Sequence, residues 1–365
     1  MDAQTLDFGI FDPTEIPNDQ GPAVTAAAFE AHISDAQLAE RVGYRYFFFI
    51  EHQNAIFPCI SSPAVYLTAL ARATRHIRIG AMIFQLPFHH PIRLAQDAAM
   101  IDHLSKGRLE FAIGYGTRKG EFEPWKSDYQ NRRAVGEEVM EIILKTWTER
   151  QVSYEGTYFN FNNALPQPLP YQQPIPVWIG AHSHTSYDYA ARKNFNVSQI
   201  FEVETHVAEK FAYFREAWAK QGHPGPRPRA ALVRHVHVAE TDKIAREQAE
   251  QYMLKGIQGP HGVARGLSNR PEDQTPENKE RVRVYYETSR SVEFWVDEGL
   301  AFIGNPKTVA NAIKAQQERC GYDVLLLNHQ FTDMPRELYV RSMKIFGEQV
   351  IPAFAPSPYL TAVSA

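Results

Sequence analysis

Short apolar runs alternate along the chain with longer segments in which apolar residues recur at helical spacing. The run from Tyr46 to Ile50 is too short for a helix and too rich in aromatic residues for a loop, so it predicts a strand buried on both faces. Before it, Phe29, Ile33 and Ala36 recur three or four residues apart, which is typical of one face of a helix. Similar apolar runs predict seven further strands, at about residues 6–11, 76–84, 109–114, 177–180, 196–201, 229–239 and 323–328.

The order of these elements predicts an α/β fold, a (β/α)8 TIM barrel. Strands that alternate with amphipathic helices are expected to be parallel, because each crossover needs a helix to return the chain. Such a barrel typically takes about 250 residues plus insertions, and the chain has 365. Residues 151–176 predict a hairpin-like insertion after strand four, and residues 256–300 predict another after strand seven, of which 256–281 is expected to be mobile. We interpret residues 1–365 as a single domain.

Charge and composition narrow the classes of function. The formal net charge is -4 and the basic residues are scattered, which argues against nucleic acid and anionic membranes as partners. Only Cys59 and Cys320 are present, without a metal-ligand spacing, which favours a reducing compartment. The start of the chain carries no basic segment before an apolar core, and no run approaches about 18 apolar residues. We therefore expect a soluble, cytoplasmic protein with no membrane partner.

Polar residues that could carry chemistry come directly after two of the predicted strands. Glu51 and His52 follow strand two, where a parallel barrel places its catalytic side chains. The alternative is a salt-bridged glutamate and a rim histidine that only cap the core. Ser183, Thr185 and Ser186 follow strand five at the start of a predicted helix, where hydroxyls and backbone amides form an anion site suited to phosphate. The alternative there is ordinary capping of the helix.

Glycines and histidines suggest further sites. Gly114, Tyr115 and Gly116 follow strand four, but the spacing to the next glycine is wrong for a dinucleotide-binding fingerprint and the next helix begins too late. We interpret these residues as a rim where a flat ligand approaches the backbone. Close pairs of histidines lack the spacing of a zinc motif, so we expect no metal site. The sequence Gly-x-Ser-x-Gly does not occur, so a hydrolase lacks support.

Five stretches occur in an order and at a spacing that resemble one known family. They are residues 51–53 after the second strand, 80–91 through the third strand and its loop, 105–109 before the fourth strand, 114–116, and 181–191. Residues 304–306 add a late Gly-x-Pro helix start of the same kind. On these stretches the chain resembles the luciferase-like family of flavin-dependent monooxygenases, whose fold is the barrel predicted above.

The resemblance implies a two-component enzyme. Reduced FMN supplied by a separate flavin reductase would react with O2 to a C4a-peroxide, which would hydroxylate a small, mostly apolar organic substrate or oxidise it by a Baeyer–Villiger reaction. His52, preceded by Glu51, matches the family's active-site histidine, and an imidazole can donate or accept a proton near neutral pH. The resemblance implies cofactor binding by Met82, Ile83, Gly114, Tyr115, Gly116, Arg118, Ser183, Thr185 and Ser186. Within this set, Met82-Ile83 matches a non-proline cis peptide under the flavin, and the serines match contacts to its phosphate.

Two positions depart from the family's pattern. Tyr115 stands where many members carry an arginine for the phosphate, so either Arg118 replaces that contact or the phosphate is held more loosely. Gln53 stands in place of a second histidine. Tyr115 and the Asn194-Phe195 segment resemble the diketocamphane and limonene monooxygenase branch, which implies a cyclic, hydrocarbon-like substrate.

The resemblance leaves alternatives open. The same barrel serves deazaflavin-dependent oxidoreductases, which transfer hydride without O2, and a non-catalytic flavin-binding protein would keep the phosphate loop without turnover. FAD is the alternative to FMN as cofactor. A homodimer is expected from the habit of the family alone.

Overall fold

The computed structural model describes residues 5–14, 20–53, 60–258, 291–331 and 333–354. The strands are β1 (Asp7–Asp12), β2 (Tyr46–Phe49), β3 (Arg78–Ala81), β4 (Phe84–Gln85), β5 (Phe111–Gly114), β6 (Val152–Glu155), β7 (Asn160–Ala164), β8 (Val177–Gly180), β9 (Asn196–Ile200), β10 (Ala230–Val238), β11 (Ala301–Gly304) and β12 (Val324–Asn328). The α-helices are α1 (Pro22–Arg41), α2 (Pro63–Ala73), α3 (Pro91–Ser105), α4 (Lys119–Phe122), α5 (Arg132–Thr148), α6 (His184–Lys193), α7 (Glu204–Ala219), α8 (Asp242–Gln258), α9 (Val292–Asp297), α10 (Pro306–Cys320) and α11 (Arg336–Ile345).

Ten strands form a parallel sheet that closes on itself. Their order is β3-β2-β1-β12-β10-β9-β8-β5-β4, and β11 lies beside β10. The two ends meet because Ile79 of β3 pairs in parallel with Leu109, just before β5, while β4 pairs with β5 directly. With β3 and β4 sharing one place in the ring and β11 outside it, the sheet is an eight-position barrel. The predicted (β/α)8 barrel is confirmed.

Burial on both faces explains why the barrel strands are unbroken apolar runs. In β2, Tyr46 and Phe48 belong to a core inside the barrel, whereas Phe47 and Phe49 belong to the core between the sheet and the helices. All four side chains are buried. A strand of a parallel barrel has no solvent face, so it does not alternate between apolar and polar residues.

Two local predictions are confirmed. Strands β6 and β7 pair in an antiparallel ladder, which confirms the hairpin expected within residues 151–176. Asn305 caps α10 by accepting from the backbone N–H groups of Lys307 and Thr308, which confirms the predicted helix start. Among the helices that the structure describes, none is long and apolar enough to cross a membrane.

Three local features differ from the sequence prediction. Strand three, predicted over residues 76–84, is interrupted after Ala81 and resumes as β4. Strand β11 was not predicted, because four residues beside the carboxyl half of β10 are too few for a periodic pattern. Helix α8 runs to Gln258, so the second insertion cannot begin at residue 256 as expected. Most of that insertion, residues 259–290, lies outside the described residues, and its predicted mobility stays a prediction, as does the single domain.

His329, directly after β12, is a buried imidazole in the core. Its ring nitrogens lie 2.9 Å from the Tyr44 hydroxyl and 2.9 Å from the Ser342 hydroxyl. Burial holds the pKa of His329 well below its ordinary value of 6.5, with a further contribution from His237, so the folded protein keeps the ring neutral.

We expect His329 to make the protein sensitive to acid. Below about pH 6.5 the imidazole of His329 binds a proton in the unfolded chain but stays neutral in the folded protein. The free energy of unfolding therefore decreases as the pH falls below about 6.5. In His329→Gln, the loss of unfolding free energy between about pH 7.5 and pH 5.5 should be smaller by about 1 kcal/mol. Urea unfolding at the two pH values measures this. The exposed His90→Gln should keep the wild-type dependence, and an unchanged dependence in His329→Gln would contradict the assignment.

Candidate active site

The barrel brings the predicted site residues to one side of its rim. The carboxyl ends of parallel strands meet at the same end of a barrel, and β2, β3 with β4, β5 and β8 are neighbours in the ring. The carboxyl ends of these strands and the segments directly after them, called here the polar arc, carry every predicted residue: Glu51, His52, Met82, Ile83, Gly114, Tyr115, Gly116, Arg118, Ser183, Thr185 and Ser186.

Glu51 is a fully enclosed carboxylate, with 0% of its side chain exposed. It accepts hydrogen bonds from the Gln53 amide at 2.9 Å and from the Gln85 backbone N–H at 2.9 Å, and the His89 Nε2 lies at 3.2 Å. Every partner can donate, which is what an ionised carboxylate requires when it is buried. The geometry therefore gives Glu51 a role in fixing the loops around it; its predicted catalytic role stays a prediction.

His52 is held by a second carboxylate that the sequence did not reveal. Its Nδ1 lies 2.9 Å from Glu121 Oε1, and 23% of the His52 side chain is exposed, against 3% for Glu121. The other carboxylate oxygen, Glu121 Oε2, accepts from the Gln85 side-chain amide at 3.0 Å. An ionised carboxylate can only accept, so the neutral imidazole carries its proton on Nδ1 and its lone pair on Nε2. Glu121 lies in the four-residue helix α4, which has no sequence pattern that marks it.

Ile83 occupies the space between the ends of β5 and β8. The peptide bond between Met82 and Ile83 is cis, at the position that the family resemblance implies. A Cβ placed on Gly114 would lie 1.8 Å from Ile83 Cδ1, whereas one placed on Gly180 would lie 3.4 Å from Ile83 Cγ2. A side chain at position 114 would therefore force the end of the Ile83 side chain to move. Gly116 is needed for another reason, its φ of +71°.

Three hydroxyl groups converge at the start of α6. Ser183 Oγ lies 2.9 Å from Thr185 Oγ1 and 3.2 Å from Ser186 Oγ. Ser183 occupies the N-cap position, but its side chain makes no capping hydrogen bond. The alternative of ordinary capping is therefore wrong for this serine. The hydroxyl cluster and the positive end of a ten-residue helix together form a site with the chemistry of an anion pocket.

Arg133 of α5 supplies a cation at this cluster. Its Nη1 lies 3.2 Å from Thr185 Oγ1, and its Nη2 donates to the Thr185 carbonyl at 2.9 Å. The guanidinium lies 5.3 Å from the centre of the Tyr115 ring, and burial raises the pKa of Tyr115, which keeps the phenol neutral. Arg133 was not predicted, because it is 17 residues from the glycine turn at 116 and only the fold brings it to the phosphate loop. Arg118 lies directly before α4, the helix that carries Glu121.

These donors fit the phosphate of a flavin nucleotide, the class of cofactor that the resemblance implies. Hydroxyls, a helix amino terminus and a guanidinium are groups that bind a phosphate monoester in proteins. The glycine-lined rim and the apolar Ile83 lie on the same arc, where a flat ring system can approach the backbone. Among the described residues, no group of three or more His, Cys, Asp or Glu side chains gathers around a point where a metal ion could bind.

Gly114→Ala should destabilise the protein, because the added methyl group overlaps the Ile83 side chain. We expect a loss of about 1–3 kcal/mol in the free energy of unfolding, the usual cost of overpacking a core. Gly180→Ala is the matched control, since its methyl group meets the same Ile83 at an ordinary contact distance. Urea unfolding of the three proteins measures the difference, and equal stability of the two variants would show that Ile83 does not require Gly114.

Comparison with known proteins identifies the family. The sequence model of the luciferase-like monooxygenases matches residues 6–323. The chain is 26% identical over 367 residues to the oxygenase component of flavin-dependent trigonelline monooxygenase from Acinetobacter baylyi. This match covers 96% of each chain. It is 25% identical over 362 residues to limonene 1,2-monooxygenase from Rhodococcus erythropolis. That match covers 96% of this chain and 88% of the other.

A solved structure agrees at the level of the fold. The oxygenating constituent of 3,6-diketocamphane monooxygenase from Pseudomonas putida superposes with a TM-score of 0.78 at 21% identity, over 97% of this chain and 100% of that chain. The family match covers most of the sequence, and the barrel and its rim have the expected form. The chain therefore belongs to the luciferase-like monooxygenase family.

Proposed function

We propose that the protein is the oxygenase component of a two-component system, which takes reduced FMN from a partner flavin reductase. With O2 it would hydroxylate a small organic substrate or oxidise it by a Baeyer–Villiger reaction. The protein is a flavin-dependent monooxygenase, as its family membership and curated relatives indicate. One observation carries the finer proposal: three hydroxyls and the Arg133 guanidinium converge on the same arc as the His52–Glu121 pair.

Ser183, Thr185, Ser186 and Arg133 would hold the phosphate. The hydroxyls and the first amides of α6 donate hydrogen bonds, and the guanidinium supplies charge. We propose FMN rather than FAD, because the doubly charged terminal phosphate of FMN suits a site with a cation and a helix amino terminus. Each phosphate of FAD carries a single charge. In this proposal Arg133 makes the phosphate contact for which Arg118 was one of two alternatives in the sequence.

His52 would accept a proton from the reacting atoms and donate it back. Reduced flavin, when bound, supplies the electrons that activate O2. Glu121 keeps the proton of the neutral imidazole on Nδ1, so the lone pair of Nε2 can accept a proton and return it. Gln85 holds Glu121, and the enclosed Glu51 holds Gln85, so Glu51 acts here as a positioning residue. The apolar side chains of Met82 and Ile83 would keep water from the floor of the site.

We also propose a cytoplasmic homodimer whose chain forms one domain. Val65 of α2 and Met100 and Leu104 of α3 are 72%, 52% and 38% exposed, and α2 packs against α3. An apolar face of this kind suits a second copy of the chain. The curated relatives match along nearly the whole chain, which supports a single unit.

Arg133→Met should weaken the binding of FMN about tenfold or more, because a charge-assisted hydrogen bond to the phosphate is lost. Binding of riboflavin, which lacks the phosphate, should not change. Quenching of flavin fluorescence in a titration measures both affinities, and Arg118→Met is the matched control. If Arg118→Met weakens FMN binding and Arg133→Met does not, Arg118 holds the phosphate. If the wild type binds riboflavin as tightly as FMN, the phosphate site is wrong.

Glu121→Gln should change the tautomer of His52 and leave the binding of FMN unchanged. A carboxylate accepts from both His52 and Gln85, whereas an amide must present a donor to one of them. We expect a mixture of His52 tautomers in nitrogen NMR of histidine-labelled protein, and turnover about tenfold slower with unchanged FMN affinity. Glu123→Gln, on the exposed side of the same segment, is the control. A single Nδ1–H tautomer in Glu121→Gln would refute the positioning role.

A further inference from the structure

The rest of the rim has a different character from the polar arc. Strands β9, β10, β12 and β1 are consecutive in the barrel, and they complete the ring opposite the phosphate loop and the cis peptide. Aromatic rings stand in the carboxyl halves of these strands or just beyond them, with one more from α9: Phe11, Phe201, His235, Phe331 and Trp295. We call these five residues the aromatic arc.

The rings of the aromatic arc form one continuous wall. Phe201 and His235 stack with centroids 4.2 Å apart and planes 6° from parallel. Phe11 meets Phe201 edge-on at 6.3 Å, and Trp295 and Phe331 meet His235 at 5.5 Å and 5.6 Å. Stacked and edge-to-face pairs are the arrangements that aromatic rings prefer, so the wall is held in place before any ligand arrives.

Phe201 is held in an unusual backbone conformation. Its φ is +42°, in the left-handed region that a bulky side chain rarely adopts. Such conformations persist only where the surroundings fix them, and they cluster at functional sites. The conformation places the Phe201 ring, which is half-buried, against His235.

The aromatic arc and the polar arc share one floor. The core inside the barrel includes Phe11, Met82 and Trp178, and both Phe201 and Ile83 pack against it as partly buried residues. Ile83 belongs to the arc that would hold the flavin, and Phe201 belongs to the wall. A molecule lying against Phe11 and Phe201 would therefore face the flavin ring across the barrel mouth. Trp295 and Phe331 pack with the core between the sheet and the helices, and they join this wall through their contacts with His235.

Trp295 contributes a buried donor to the wall. The residue is 4% exposed, and its Nε1–H has no hydrogen-bond partner among the described residues. A buried N–H without an acceptor costs free energy, so an occupant with an acceptor oxygen would be favoured there. The Asn328 amide is already engaged, with Nδ2 3.3 Å from His235 Nδ1 and Oδ1 accepting from the Gln330 N–H at 3.0 Å.

We propose that the aromatic arc binds the substrate, and that the substrate is a planar aromatic ring bearing a carbonyl oxygen that accepts from Trp295. Trp295 is 4% exposed, and a single indole N–H does not offset the cost of burying a carboxylate, which favours a neutral carbonyl. This assignment rests on the proposed function, because it places the ring opposite the flavin. It changes the expected substrate from a cyclic, hydrocarbon-like compound to an aromatic ketone or a related compound.

Three probes of similar size test the proposal by calorimetry with the full chain. Acetophenone has both features, cyclohexyl methyl ketone lacks the aromatic ring, and ethylbenzene lacks the carbonyl. We expect acetophenone to bind about three- to tenfold more tightly than either of the others, the gain of about one aromatic pair or one hydrogen bond. Equal affinities, or no binding of any probe, would overturn the proposal.

Two variants separate the two features. Phe201→Leu should abolish the preference for acetophenone over cyclohexyl methyl ketone. Trp295→Phe keeps a ring but loses the N–H, so it should abolish only the preference over ethylbenzene. Trp125→Phe, at a side chain 54% exposed, is the control and should keep both preferences. Unchanged preferences in Phe201→Leu and Trp295→Phe would overturn the assignment of the wall.

An FMN titration of the same protein distinguishes this failure from failure of the proposed function. If FMN binds and the three probes bind equally, only the substrate assignment fails. If FMN does not bind, the proposed function fails, and the substrate assignment fails with it whatever the probes do.

Discussion

The enclosed carboxylate of Glu51 is the constraint on which the site depends. A charge with no contact to water must be surrounded by donors, and this one draws them from the loop after β2, from β4 and from the loop before α3. Gln85, once fixed through its backbone N–H, turns its side-chain amide to Glu121, and Glu121 then orients the imidazole of His52. Replacing Glu51 by an uncharged residue would therefore disturb the orientation of the His52 imidazole through Gln85 and Glu121.

Closure of the barrel places polar side chains on one half of the rim and aromatic side chains on the other half. Because all the ring strands are parallel, every carboxyl end faces one mouth, and the order of strands decides which loops are neighbours. The polar arc collects hydroxyls, Arg133 and His52, while the aromatic arc offers stacked rings and the N–H of Trp295. A cofactor held by its phosphate on one side and a flat substrate held on the other would meet over the apolar floor that Met82 and Ile83 share with Phe201.

The sequence predicted the barrel well, because a strand buried on both faces is an unbroken apolar run such as residues 46–50. It also placed the rim residues, since the carboxyl ends of parallel strands converge in any such fold. It could not find Glu121 or Arg133. Their partners, His52 and Thr185, are 69 and 52 residues away, and no periodicity encodes such a contact. Strand β11 was missed for a different reason, since its four residues acquire a pattern only beside β10.

The most direct measurement is an anaerobic titration with dithionite-reduced FMN, followed by rapid mixing with oxygenated buffer while the release of hydrogen peroxide is recorded. The account predicts that reduced FMN binds, and that the protein delays the release of hydrogen peroxide compared with free reduced FMN. His52→Ala should shorten the delay. Failure to bind reduced FMN, with binding of a reduced deazaflavin in its place, would contradict the account and identify a hydride-transferring oxidoreductase instead.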